Sequence, residues 1–262
     1  MNLLVTFLGT GTSTGIPMLG CSCPVCTSSN KHNKRLRTSF LIQHDDTTIL
    51  FDTGPDLRTQ LLREGVQDIS AVIISHAHAD HLNGIDDIRP FTFKHPINLY
   101  TDQSSAHIIK NRFGYIFGNN PGHIGSSPRL LLNEIELNAI TRICDLRCEF
   151  IELPHGNGIS LGLIIGKLAI ISDCHEIPQR EIDKLRSYDL DSLIIDCVRH
   201  KPHPAHLYVK RSFEYIRKIG AKHNYLTHMG HELDHSSLQK ECDHHFPDGS
   251  VKVAYDGLKF EV

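Results

Sequence analysis

The apolar run Ala71-Val72-Ile73-Ile74 passes directly into Ser75-His76-Ala77-His78-Ala79-Asp80-His81, and this junction restricts the fold more than any other stretch of the chain. A short continuous apolar run reads as a buried strand. The H-x-H-x-D-H spacing that follows puts imidazoles and a carboxylate into the loop leaving that strand. Nitrogen and oxygen donors of this kind suit a divalent cation. Ligands in α/β sheets gather beyond the carboxyl ends of the strands, so the pattern predicts an α/β fold in which other strand ends converge on His76, His78, Asp80 and His81. The chain carries 19 histidines, so an isolated one means little. Spacing after a strand is what separates this group from a polar loop.

The flanking sequence reads as strands interleaved with helices. Residues 1–9 lack a charged n-region and reach Gly-Thr-Gly-Thr too early for a signal peptide, so they are read as a first strand. Ile49-Leu50-Phe51 is a strand ending in Asp52-Thr53-Gly54-Pro55, and 56–64 is a helix stopped by Gly65. Residues 97–100 form a strand and 104–117 a helix, broken by Asn119-Asn120-Pro121-Gly122. Residues 148–153 form a strand ending at Pro154-His155, and 159–165 with 168–172 form a hairpin that exits at Asp173. A strand at 192–195 leads to Asp196, a helix at 207–219 ends at Gly220, and Tyr225-Leu226-Thr227 runs into His228. Residues 251–255 and 258–262 are expected to close the chain as a hairpin about Asp256-Gly257. No linker, low-complexity tract or solenoid repeat intervenes. Residues 1–262 are therefore expected to form one domain, with 40% hydrophobic residues enough for its core.

Asp52, His155, Asp173, Asp196 and His228 each follow an expected strand. Asp commonly caps helices and His commonly fills half-buried loops, but recurrence in one setting points to one cleft. Of the eight cysteines, Cys21, Cys23 and Cys26 form C-x-C-x-x-C, which lets thiolates converge on one ion; Cys144, Cys148, Cys174, Cys197 and Cys242 read as dispersed core residues. A net charge of -3 argues against a general electrostatic grip on nucleic acid, and the one basic cluster, 31–37, reads as a solvated loop. No apolar stretch approaches the roughly 20 residues that span a bilayer. The expectation is a cytoplasmic protein with no membrane and no stable nucleic-acid partner, homodimerisation being left open.

Through His76-x-His78-x-Asp80-His81, His155, Asp173 and His228, in that order, the chain resembles the metallo-β-lactamase superfamily over nearly its whole length. The resemblance implies an αββα sandwich with a two-metal cleft between sheet edges. It implies that His76, His78 and His155 hold one ion, that Asp80, His81 and His228 hold the other, that Asp173 bridges them, and that Asp52 orients a ligand from behind. Gly9-Thr10-Gly11 with Gly15-Ile16-Pro17, the cysteine loop, and Thr227-His228-Met229-Gly230-His231 narrow the resemblance to the PhnP-like cyclic ribose-phosphate phosphodiesterases. In that subfamily, residues matching Cys21, Cys23, Cys26 and His231 bind a separate structural zinc, here in a loop at about residues 20–30.

The implied activity is hydrolysis of small phosphodiesters, cyclic ones included, by attack of a metal-bridging hydroxide. The resemblance also implies a histidine proton donor after the Asp196-Cys197 strand end. His206, just before a helix, is favoured, with His203 in reserve because Leu207-Tyr208-Val209 departs from the family's polar continuation. Asp80 is counted with His206 among the catalytic residues. Arg89 either reaches a substrate phosphate or pairs with Asp86 or Asp87, the two being equally supported. Ligands of His and Asp accept manganese, zinc or iron. The expected cofactors are thus two such cations and one structural zinc, and the expected partner is a small phosphodiester or nucleotide. The rivals are a thioesterase, lactonase or β-lactamase on the same fold, a tRNA 3′-processing nuclease, which would need an RNA-binding arm, and a nucleotide-binding metal sensor without turnover.

Overall fold

A computed structural model describes residues 2–118, 126–137 and 139–262. The strands are β1 (Leu4–Gly9), β2 (Ser39–His44), β3 (Thr47–Phe51), β4 (Ala71–Ile73), β5 (Ile97–Thr101), β6 (Leu130–Glu134), β7 (Ile140–Ile143), β8 (Leu146–His155), β9 (Gly158–Ile165), β10 (Leu168–Ile171), β11 (Ser192–Asp196), β12 (His223–Thr227), β13 (Val251–Val253) and β14 (Lys259–Glu261). Among the described residues they form two seven-stranded sheets, ordered β14-β1-β2-β3-β4-β5-β6 and β13-β12-β11-β10-β9-β8-β7.

Alternation along the strands builds the layers. In β3, Ile49 and Phe51 face the space between the sheets, where they join Phe7, Phe40 and Ile73 and meet Phe150, Leu163 and Ile170 of the second sheet. The intervening Leu50 turns outward to pack with Leu57 and Leu61 of α1 (Leu57–Glu64), while Ile109 of α3 (Gln103–Arg112) joins the same outer layer. On the far face of the second sheet, Ile171 and Ile195 pack with α5 (Gln179–Ser187), α6 (Val209–Ile219) and α7 (His235–His245) through Leu185, Phe213 and Leu238. The architecture is the expected αββα sandwich. No helix among the described residues is long and apolar enough to cross a membrane.

Two short helices complete the set: α2 (Ala79–Leu82) within the histidine loop, and α4 (Gly114–Phe117) after α3. The helix expected over 104–117 is therefore two helices, because Phe113 leaves the helical region at φ -115° and ψ 44°. The expected break at 119–122 lies outside the described residues. α1 ends as expected on Gly65, in the left-handed conformation that spares a glycine the Cβ clash. α6 starts two residues later than expected, since the Leu207 N–H is drawn to the buried Asp196 carboxylate at 3.2 Å. α5 and α7 were not anticipated.

The closing hairpin does not form. β13 pairs in parallel with β12, and β14 pairs antiparallel with β1 in the other sheet, so the chain crosses between sheets at Asp256-Gly257. Asp256 explains the crossing: its carboxylate accepts from Thr10 N–H at 2.9 Å and from Leu36 N–H at 2.7 Å, which pulls the turn onto the first sheet.

This topology brings carboxyl ends together. β3, β4 and β5 are parallel, as are β10, β11 and β12. Asp52 and Ser75 to His81 leave one sheet, while His155, Asp173, Asp196 and His228 leave the other. Leu161 N–H donates across the gap to the Ser75 carbonyl at 2.9 Å.

Close backbone packing seats the histidine loop on the turn after β3. A Cβ on Gly54 would stand 2.2 Å from the Asp80 carbonyl oxygen, and one on Gly84 would stand 2.1 Å from the Gly54 carbonyl. Gly54→Ala should therefore cost about 1–3 kcal/mol or more in urea unfolding. Gly114→Ala, whose Cβ would meet nothing within 4 Å, should leave the midpoint unchanged or raise it. Equal effects of the two would refute the packing argument.

Candidate metal centre

Two groups of candidate ligands meet at the strand ends. His76 Nε2 and His155 Nε2 lie 2.9 and 3.0 Å from His78 Nδ1, so three ring nitrogens face one point. Beside them, Asp80, His81, Asp173 and His228 each offer a ligand atom within 4.8 Å of the others. Asp173 spans the two groups. Its Oδ2 is 3.9 Å from His76 Nε2, 3.9 Å from His155 Nε2 and 3.3 Å from His81 Nε2, while its Oδ1 is 3.2 Å from His228 Nδ1. The structure thus brings together all seven of the residues expected there.

Neighbours hold these rings in place. Asp52 Oδ2 lies 2.7 Å from His81 Nδ1, and Asp52 also accepts from Ser75 N–H at 2.7 Å and Ser75 Oγ–H at 2.9 Å. The Ser75 hydroxyl sits 3.0 Å from His76 Nδ1, and the Ala205 carbonyl accepts from His155 Nδ1 at 2.8 Å. His228 lies between Thr38 and Thr12, with Nδ1 and Nε2 each 3.1 Å from a hydroxyl. Carbonyl and carboxylate partners of this kind fix the tautomer and ring angle of a metal-binding imidazole. Asp52 and His228 adopt φ of 64° and 58°, a region costly for residues other than glycine. Of these partners, sequence reasoning found Asp52. Ser75 and Thr12 sit inside motifs already singled out, whereas Thr38 and the Ala205 carbonyl carry no local signal.

The rings differ in charge: burial disfavours the imidazolium of His81, yet Asp173, Asp80 and Asp52 raise it well above its ordinary pKa, so a cation there would displace a proton. Burial pushes the imidazolium of His76 well below its ordinary pKa, with His81 adding repulsion, and burial takes His228 down to about 3. Both rings are therefore neutral at pH 7, the form that binds metal. Burial opposes charge on Asp173, but His228 and His81 outweigh it and hold the carboxyl well below the usual range. His81 Nε2 is a buried atom that makes no hydrogen bond among the described residues, although Asp80 and Asp173 oxygens stand 3.3 Å away. An orphaned donor atom aimed between two carboxylates fits a divalent cation.

His206 borders this cluster. Its Nδ1 is 3.0 Å from Asp196 Oδ2 and 3.8 Å from Asp173 Oδ2, and its ring stacks on His228 at 4.7 Å. Burial lowers its pKa, yet Asp196 more than compensates and raises it to about 9. His203 lies further out, its ring 4.9 Å from that of His206 and its Nδ1 accepting from Ala205 N–H at 3.2 Å. Arg89 is not brought to the cluster. The short 3₁₀ turn Ile85–Ile88 carries it away, so that its guanidinium donates to the Ser126 carbonyl at 3.0 Å and lies 3.9 Å from Asp86.

The cysteine loop forms a second centre. Sγ of Cys21, Cys23 and Cys26 lie 3.2, 3.6 and 3.8 Å from His231 Nδ1. Tetrahedral zinc with ordinary Zn–S and Zn–N bonds places such atoms about 3.6 Å apart, so the donor set fits that ion. All three cysteines are free thiols. The Cys26 N–H bond lowers the Cys23 thiol to about 6 against the effect of burial, favouring the thiolate that metals bind.

Separate donor sets should lose metal separately. Asp173→Ala should strip ions from the His and Asp cluster while keeping the cysteine-site ion; Cys23→Ala should lose only the latter and unfold at lower temperature. Metal analysis of purified variants checks this, and equal depletion of both sites in each variant would contradict it.

Comparison with known proteins places this geometry. A family model described as a beta-lactamase superfamily domain matches residues 47–229. The crystal structure of a new diphosphatase from the PhnP family superimposes with a TM-score of 0.91 at 35% identity, covering 100% of this chain and 98% of that one. An octanoyltransferase of Porphyromonas gingivalis is 36% identical over 254 residues, 96% of this chain and 50% of that protein. A ribonuclease Z of Gemmatimonas aurantiaca is 28% identical over 171 residues, 63% of this chain and 48% of that protein. The chain spans about half the length of these two curated relatives. By fold, by the matched family model and by full-length likeness to a PhnP-family structure, the chain belongs to the metallo-β-lactamase superfamily as a PhnP-like member.

Proposed function

We propose that this chain is a dinuclear, metal-dependent hydrolase of small phosphodiesters. The observation that carries the dinuclear reading is Asp173, whose Oδ2 faces ligands of both groups and whose Oδ1 faces His228, with His206 3.8 Å from the same carboxylate; the full-length likeness to a PhnP-family structure supports the phosphodiester class. His76, His78 and His155 would hold one cation, Asp80, His81 and His228 the other, and Asp173 both. Manganese, zinc or iron bound there would supply an activated water and neutralise charge on phosphoryl oxygens. Cys21, Cys23, Cys26 and His231 would hold a structural zinc.

The protein's own groups do the rest. Asp196, buried and fixed by the N–H groups of Cys174 and Leu207, commits His206 Nδ1. The proton delivered to a leaving oxygen is therefore carried on Nε2. An alkoxide needs that proton more than a phosphate does, because the better leaving group departs with less help. A second substrate class follows from the PhnP-family neighbour, which is described as a diphosphatase: a phosphorus–oxygen–phosphorus linkage presents the same centre with a phosphate leaving group. A small diester or nucleotide is the proposed partner in either case.

Side-by-side hydrolysis of a cyclic phosphodiester, a dinucleoside diphosphate, a thioester and a lactam, with manganese and with chelator, tests the class. Turnover of the thioester or lactam alone would overturn it. His206→Ala should lower kcat by about 10²- to 10⁴-fold on a cyclic or alkyl diester, and by less on the diphosphate. The donor must be protonated, so the rate should fall as pH rises through the His206 pKa. Asp196→Asn removes the carboxylate that raises this pKa and should move that limb to lower pH. An unmoved limb would exclude His206 as the donor.

A further inference from the structure

The clustered imidazoles are not equally supported. His76, His81, His155 and His228 each have a ring nitrogen against a hydroxyl, carboxylate or carbonyl outside the cluster. His78 has none among the described residues. Its Nδ1 meets the rings of His76 and His155, and its exposed side chain leaves Nε2 to solvent. Solvent can satisfy that exposed nitrogen but does not hold the ring at an angle as a fixed carboxylate or carbonyl does, so the aim of this imidazole rests on its backbone.

The backbone around His78 is held from one side. The inner part of the loop is tied to the sheets: Thr53 N–H donates to the His81 carbonyl at 2.7 Å, and the Ser75 carbonyl accepts from Leu161 N–H. The outer part carries exposed His78 and Ala79 and begins a helix of only four residues. Arg112, the last residue of α3, reaches this part. Its Nη1 donates to the Ala77 carbonyl at 3.0 Å and lies 3.5 Å from Asn83 Oδ1. The Ala77 carbonyl belongs to the peptide that carries His78, and Asn83 is the first residue after α2. One guanidinium therefore spans the segment bearing His78, Asp80 and His81 at both ends.

We infer that Arg112 is the positioning residue for His78, fixing through the Ala77–His78 peptide an imidazole that no described protein group outside the cluster holds. The inference rests on the reading of His76, His78 and His155 as metal ligands. The guanidinium suits the task because Nη1 alone carries two N–H bonds and so faces both oxygens, and a hydrogen bond from a charged donor to a carbonyl is stronger than a neutral one. Because α3 leaves β5, whose Thr101 hydroxyl donates to the Ile74 carbonyl at 2.9 Å, Arg112 and the strand feeding the loop belong to one packed unit.

The test uses the full chain, stripped with chelator and titrated with zinc against a chromogenic competitor. Cobalt loading reports the cysteine site separately through its thiolate charge-transfer band. Arg112→Ala should weaken ion binding at the His and Asp cluster by about 10- to 100-fold. The cysteine-site band and the unfolding midpoint of the metal-free chain should not change. Arg112→Lys, still able to donate to one carbonyl, should recover part of the affinity. Wild-type affinity in Arg112→Ala with only a raised KM would make Arg112 a substrate contact and overturn the inference. Equal weakening at the cysteine site would make it a general folding residue and overturn it equally. A wild-type chain that binds no ion at the His and Asp cluster would overturn the metal reading itself, and this inference with it.

Discussion

The fold is organised around one buried carboxylate. Asp173 is 1% exposed and lies within 4 Å of ring nitrogens from His76, His81, His155, His206 and His228. Taking a carboxylate out of water costs several kcal/mol unless charge and hydrogen bonds replace the solvent. The imidazoles that compensate come from strand ends of both sheets, so the two halves of the sandwich must meet with their carboxyl edges in register. Cations in this cleft would complete the compensation that the imidazoles begin. Asp52 repeats the pattern one layer back, buried between Ser75 and His81.

Strain marks the same place. Asp52 and His228 keep left-handed backbone conformations, uncommon for residues other than glycine, and the side chain of each is held by hydrogen bonds at the cluster. His228 also begins the segment that ends in His231, so four consecutive residues join the His and Asp cluster to the cysteine centre. That segment is pinned between the Gly9–Thr12 turn and buried Arg35: Met229 N–H donates to the Thr10 carbonyl at 2.9 Å, and Arg35 Nη1 donates to the Gly230 carbonyl at 3.2 Å. The two centres use separate donor sets but share one support.

Much of the site was legible because its chemistry is local. H-x-H-x-D-H after a buried strand, and single acids or histidines directly after further strands, announce both ligand type and position, and C-x-C-x-x-C announces the second centre. What escaped depends on partners distant in sequence. An Asp-Gly turn between two short apolar runs reads locally as a hairpin, and only the Asp256 bonds to Thr10 and Leu36 reveal that it crosses between sheets. Arg89 left two readings open in the sequence, a substrate contact or a pairing with Asp86 or Asp87, and the 3₁₀ turn sets it 3.9 Å from Asp86. Arg112 lies far from the loop in sequence, on a helix that gave no reason to single it out.

The central claim is that Asp173 joins two cation positions while a third lies among the cysteines. Anomalous diffraction from crystals of metal-loaded protein tests it most directly. The account predicts two peaks about 3.5–4 Å apart, each with an Asp173 oxygen in its coordination shell, and one peak within the Cys21, Cys23, Cys26 and His231 group. A single peak in the His and Asp cluster, or a pair that Asp173 does not contact, would contradict it.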